Sequence, residues 1–349
     1  MSRLETIPLD LARWGLTPAQ ATPVRYRGRD CLRFADLALT AVVPGVEMAD
    51  GVLEAEVLVP RERSFHGVAW HVQGDDGESF FVRPHQSGNP DAIQYTPVSH
   101  GISSWQLYHG AAFWSPIPIP TDQWFTIRVE IAGARADIYV ADLAEPVLAT
   151  RLKHGAGSGG VGLQVGGPGL HVARFAVTPG PVELAGTPPL EAPPHPGTVP
   201  GWEVSDAFPE ASIAGATTLP AGLVAARSWT PLAVDRSGLA DLGLVNGLVG
   251  DRNTVLARAT IHASEARIRP LELGFSDRAT VFLNGRAVFR ADDAYRTRDY
   301  RFLGSIGYWY TLHLPLEAGA NALVVAVSED FGGWGVQARF SDVGTAAGG

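Results

Sequence analysis

Between Trp124 and Val140 the chain reads WFTIRVEIAGARADIYV, and its alternation restricts the fold more than any other feature. Phe125, Ile127, Val129 and Ile131 fall on one side and Thr126, Arg128 and Glu130 on the other. A turn falls near Gly133, after which Ala136, Ile138 and Val140 resume the apolar side. A period of two fits a strand with one dry face, and two such runs around a glycine turn form a hairpin. GVLEAEVLV repeats the pattern, with Leu53, Ala55, Val57 and Val59 opposite Glu54 and Glu56. Helical periodicity with matching caps is hard to find, so the expected class is all-β.

From Pro179 to Gly201 the composition changes to PGPVELAGTPPLEAPPHPGTVPG. Dense proline removes backbone donors and favours extended geometry, which marks a linker. His195 reads there as a solvated residue. Beyond it, ATVFLNGRAVF sets Asn284-Gly285 between two β-rich runs, a strong hairpin signal. YTLHLPLEAGANALVVAV points Leu312, Leu314 and Leu316 inward, turns at Gly319 and enters a strand apolar on both faces. The expected organisation is two β-sandwich jelly rolls, residues 1–180 and 201–349, joined by a proline-rich linker at 181–200. The terminal GTAAGG is expected to fray.

A chain of 349 residues is long enough for two such cores. Hydrophobic residues make up 46% and charged residues 18%, a globular composition. The net charge of -9, with no Lys/Arg run, argues against a nucleic-acid partner. Cys31 is the single cysteine, which excludes an intrachain disulfide and a thiolate cluster. The start, MSRLETIPLDLARWGL, lacks a signal-peptide pattern, and no long apolar run suggests a membrane span. A soluble, cytoplasmic protein is expected.

DGVLEAEV, HGVAWHV, FFVRPHQSGNPDAIQYTP, WFTIRVEIAGARADIYV and GGVGLQVGG with HVARFAV, in that order, resemble the concanavalin A-like lectin/glucanase superfamily over about residues 30–178. Within it they are most similar to laminin-G-like and keto-disaccharide-hydrolase-like jelly rolls. VFLNGRAVF followed by LPLEAGANALVVAVSEDFGGWGVQARF resembles a galactose-binding-like jelly roll over about residues 201–343. The two resemblances imply carbohydrate recognition, although many galactose-binding-like domains are structural modules.

Sugar recognition needs apolar rings for pyranose C–H faces and polar groups for paired hydroxyls. The segment from Arg83 to Trp114 mixes both. Arg83, His85, Asn89, Asp91 and Gln94 supply donors and acceptors, while Tyr95, Trp105, Tyr108 and Trp114 supply rings. Pro84, Pro90 and Pro97 stiffen the backbone. The alternative is a connecting loop whose polar groups serve its own backbone. In the second half, DDAYRTRDYRFLG gathers Asp292, Asp293, Arg296, Arg298, Asp299 and Arg301 around Tyr295 and Tyr300, with Trp309 and Trp334 as a candidate platform. That segment reads as a polar binding rim or a surface ion-pair network. Trp334, in FGGWG, also reads as an anchor of the sandwich end, since its glycines permit close backbone approach.

Catalytic signals are sparse. The E-x-D-x-E run that the resemblance would supply for a retaining glucanase is absent. Glu54 and Glu56 share a strand face, about 7 Å apart in an ideal strand, within the range of an inverting pair. His66, His71, His85, His100 and His109 show no metal-ligand spacing. QGDDGES, with Asp75 and Asp76, reads as a hairpin turn that departs from the EF-hand pattern, leaving a structural calcium as the one cofactor to consider. The leading expectation is a lectin-like protein that binds carbohydrate or a glycosylated small molecule, with no nucleic-acid or membrane partner and the oligomeric state open. A glycoside hydrolase or tailoring enzyme using the same cleft, and a structural assembly module, are the alternatives.

Overall fold

The computed structural model describes residues 5–298 and 304–342. It is built almost wholly of antiparallel strands, and none of its helices is long and apolar enough to cross a membrane. Asp299, Tyr300 and Arg301 of the charged segment, and the terminal glycine-alanine tail, lie outside the described residues.

The chain divides into two compact units. The first comprises Met1–Val98 and His109–Pro189, the second Ser99–Tyr108 and Leu190–Gly349. The expected 1–180 and 201–349 division therefore lacks one feature: ten residues of the first half are enclosed by the second unit. Nor is the proline-rich stretch only a spacer. The Gly186 N–H donates to Asp137 Oδ2 at 2.6 Å in the first unit, and Val199 is buried in the core of the second.

In the first unit, one sheet runs in the order Leu148–Arg151, Arg135–Val140, Phe125–Ala132, Gly51–Leu58, His171–Pro179, Arg29–Phe34, Ala21–Tyr26. The other runs Trp114–Ser115, Ile93–Ser99, Asp76–Val82, His66–Gln73, Gly159–Gly167, Leu37–Met48. Their facing apolar residues form one core, with Leu53, Ile127, Val129 and Phe175 from one sheet and Val68, Trp70, Phe80 and Leu163 from the other. Phe125, Ile127, Val129 and Ile131 are all buried, and the hairpin turns at Gly133 with φ +56°. Gly160 and Gly162 sit at a register shift of the glycine-rich strand. A Cβ on Gly159 would come within 2.6 Å of the His71 backbone, so glycine lets the strands approach there.

The second unit packs the sheet Trp229–Ala233, Gly201–Ser205, Arg252–Ala263, Gly319–Ser328, Arg278–Leu283, Arg286–Asp292 against Leu239–Asp241, Gly335–Phe340, Arg267–Ser276, Tyr310–Leu316. Leu312, Leu314 and Leu316 face this core. Asn284 and Gly285 both take positive φ, +49° and +80°, as a two-residue hairpin turn requires. Trp334 is fully buried, and its Nε1–H donates to Val327 O at 3.0 Å. It anchors the core and forms no platform with Trp309. Trp334→Ala is expected to cost about 3–5 kcal/mol, read as a lower denaturant midpoint at unchanged slope.

Candidate functional site

The structure separates the residues that sequence reasoning had grouped. Arg83, Asp91 and Gln94 form one closed set in the first unit. Arg83 Nη1 donates to Asp91 O at 2.7 Å and lies 3.7 Å from Asp91 Oδ2, and Nη2 donates to Gln94 Oε1. The guanidinium also sits over Phe81, 4.9 Å from the ring centroid. All three residues are buried. Asn89 is exposed and donates to Gln86 Oε1 at 2.5 Å, and His85 packs edge-on against Phe65. This part of the loop meets most of its polar groups internally, although among the described residues His85 Nδ1 and Asp91 Oδ2 are buried without a hydrogen-bond partner.

Tyr95 departs from the expected shared cavity. Strand alternation sets it on the opposite face from Gln94, inside the core, with its ring near Trp70 and Phe113. Its hydroxyl donates to Glu78 Oε2 at 2.7 Å and accepts from the Lys153 N–H at 2.7 Å. The His154 N–H reaches Glu78 Oε1 at 3.1 Å. Burial pushes the Glu78 carboxyl above its ordinary range, and the Tyr95 hydrogen bond opposes the rise.

Glu54 and Glu56 are no catalytic pair. Glu54 is buried between Arg128, 2.6 Å away, and Arg174, 2.7 Å away; Glu56 pairs with Arg29 at 2.7 Å. The five histidines of the first half are dispersed. His66 Nε2 meets Pro168 O, His71 Nε2 meets Ala49 O and His100 Nδ1 meets Gly243 O. Burial lowers His66 to about 4. Among the described residues no three His, Cys, Asp or Glu side chains are grouped to hold a metal.

Trp105 and Tyr108 belong to the second unit, where Trp105 meets Tyr295 of the charged segment and Tyr108 bonds to Asp241. Trp105, Tyr295 and Phe331 form a triangle of rings: Trp105 lies 6.2 Å from Tyr295 and 6.0 Å from Phe331, and Tyr295 lies 6.2 Å from Phe331. Phe331 is 51% exposed, and Trp105 and Tyr295 are half-buried. Arg296 is exposed, with its guanidinium 5.1 Å from the Tyr295 centroid, and among the described residues no carboxylate pairs with it. Arg298, in contrast, donates to Asp293 Oδ1 at 2.8 Å.

Buried polar contacts hold the rings in place. Asp241 Oδ2 accepts from Ser104 Oγ and from the Tyr108 hydroxyl, each at 3.2 Å, while Oδ1 accepts from the Gly243 N–H at 3.0 Å. The Gln106 N–H donates to Gly332 O at 2.7 Å. Gly332 and Gly333 have φ of +103° and +124°. A Cβ on Gly332 would overlap the Gln106 carboxamide and lie 2.7 Å from Trp105 Nε1, and one on Gly333 would lie 2.8 Å from Leu107. Phe331 is the functional candidate that sequence reasoning missed, although the adjoining FGGWG glycines signalled close backbone approach.

Next to Phe331, Glu329 and Asp277 are fully buried carboxyls, and neither Glu329 oxygen nor Asp277 Oδ1 has a well-formed hydrogen bond. Asp277 Oδ2 accepts from the Asp330 N–H at 3.1 Å. Burial pushes Asp277 up to about 6, and burial with the neighbouring Asp277 charge holds Glu329 well above its usual range. The folded protein therefore retains protons that the unfolded chain releases between the ordinary carboxylate range and about 6, so stability falls as pH rises through that window.

No family model and no curated protein matches this chain. Among solved structures, a carbohydrate-binding module, CBM66, from Bacillus subtilis is similar at 14% identity and TM-score 0.30, over 51% of this chain and 94% of its own. A Bacillus subtilis protein of unknown function with a galectin-like fold gives 10% identity and TM-score 0.36, over 50% of this chain and 87% of its own. The Caenorhabditis elegans galectin LEC-6 gives 13% and 0.32, over 47% and 99%.

Two measurements probe this region. Gly332→Ala should destabilise the fold by more than about 1 kcal/mol, seen as a lower melting temperature together with altered Trp105 fluorescence. Glu329→Gln should raise the melting temperature at pH 8 and leave it unchanged near pH 4, where the native carboxyl is already neutral.

Proposed function

We propose that this protein is a carbohydrate-binding protein that takes its ligand on the aromatic triangle of the second unit. The observation that carries the proposal is the convergence of Trp105, Tyr295 and Phe331, three partly exposed rings from three separate segments, beside the exposed guanidinium of Arg296, which pairs with no carboxylate among the described residues. Ring faces suit the C–H surfaces of a pyranose, and a free guanidinium offers paired donors to vicinal hydroxyls or a carboxylate. The glycine contacts and the Asp241 hydrogen bonds fix the segment bearing Trp105 before any ligand arrives, which lowers the ordering cost of binding.

Binding without hydrolysis is the better supported activity. Glycoside hydrolysis needs two carboxyls that reach the substrate. Glu54 is occupied by two arginines, and Asp277 and Glu329 are buried away from the surface on which the rings open.

The test is a glycan-array screen of the full chain, followed by calorimetric titration of each hit. Trp105→Ala and Arg296→Ala should each weaken binding by about tenfold or more while the melting temperature shifts by only a few degrees. An array without a hit, or unchanged affinity in both variants, would sink the proposal.

A further inference from the structure

The larger sheet of the second unit has an opening that the aromatic triangle does not use. Gly201–Ser205 pairs with Arg252–Ala263 at Glu203↔Arg258 and Val204↔Ala257, and the ladder stops there. On its other side, Arg252–Ala263 stays paired with Gly319–Ser328 as far as Ala263↔Gly319. The path of the chain explains the gap. Residues 197–199 lie along the edge of the smaller sheet, where the Val199 N–H donates to Ala338 O at 2.9 Å and the Phe340 N–H donates to Gly197 O at 2.8 Å. Pro200 then carries the chain across to the larger sheet, and Gly201 and Trp202 enter it outside the ladder with Ala259–Ile261.

The groove so formed has a volume of about 720 Å³, and its lining includes Val199, Trp202, Leu232, Ile261 and Phe340 from the core, with the Glu203–Arg258 ion pair at its rim. Trp202 is 3% exposed, and its Nε1–H has no acceptor among the described residues.

We propose that this groove binds an extended peptide segment, which adds as a strand along the open edge of residues 259–263. Antiparallel strands direct backbone N–H and C=O groups outward on alternate residues, and past Arg258 the groove-side groups have no ladder partner. An apolar side chain of the peptide would rest on the floor near Ile261. A saccharide is disfavoured because the rings offer no free face. Trp202 and Phe340 are only 3% and 4% exposed. The Arg269 guanidinium lies 3.9 Å from the Phe340 centroid, and Arg258 covers nearby Trp229 at 3.8 Å. Because Arg258 is already paired with Glu203, the segment favoured is uncharged.

The test is to pan a random heptapeptide phage library against the intact protein and titrate synthetic, end-capped versions of the enriched sequences. Supporting peptides bind saturably and lose about tenfold or more in affinity on Ala259→Trp, which fills the groove. N-methylation of alternate backbone amides should abolish binding in one of the two possible phases. Failure to enrich any sequence, or enriched peptides that bind the Ala259→Trp variant as they bind the wild type, would overturn the proposal. Trp105→Ala serves as the control: it should leave peptide binding intact, so this site and the carbohydrate site stand or fall separately.

Discussion

The buried carboxylate of Asp241 organises the surface of the second unit. It accepts from Ser104 Oγ, the Tyr108 hydroxyl and the Gly243 N–H, and so ties Ser99–Tyr108 to a strand more than a hundred residues away. A carboxylate this deep is tolerated only when donors surround it. The ring of Trp105 is held in position because the residues on either side of it are fixed, by Asp241 on one hand and by the Gln106 bond to Gly332 on the other. The same contacts require glycine at 332 and 333, where any side chain would collide with the segment being held.

Charge is handled differently in the two units. The first consumes its candidate polar groups internally: Arg83 with Asp91 and Gln94, Glu54 with two arginines, Tyr95 with Glu78. These are sites of structural saturation, with little left for a ligand. In the second unit no carboxylate among the described residues pairs with the exposed Arg296, and burial holds the Asp277 and Glu329 carboxyls above their ordinary range.

Alternation made much of the fold legible. Phe125 to Ile131, Leu53 to Val59 and Leu312 to Leu316 face the cores as their spacing requires, since a strand buried on one face must repeat every two residues. The same rule was at hand for Tyr95, which as the neighbour of Gln94 had to point the opposite way. The burial of Glu54 is not legible in the same way. A polar outward face looks identical in sequence whether it meets water or, as here, Arg128 and Arg174 on adjacent strands.

By itself, the sequence determined the all-β class, the hairpins at Gly133 and Asn284-Gly285 and the inward face of the strands with alternating apolar residues, because these depend on local periodicity and turn chemistry. It also supplied the ingredients of the candidate site: Trp105 and Tyr108 in one segment, Tyr295 and Arg296 in another, and the paired glycines beside Phe331. Only the tertiary structure decided that Ser99–Tyr108 belongs with the second unit and that Trp105, Tyr295 and Phe331 meet. Those contacts join residues from tens to more than two hundred positions apart, and they depend on backbone approach distances and side-chain saturation, which have no period to be read along a chain.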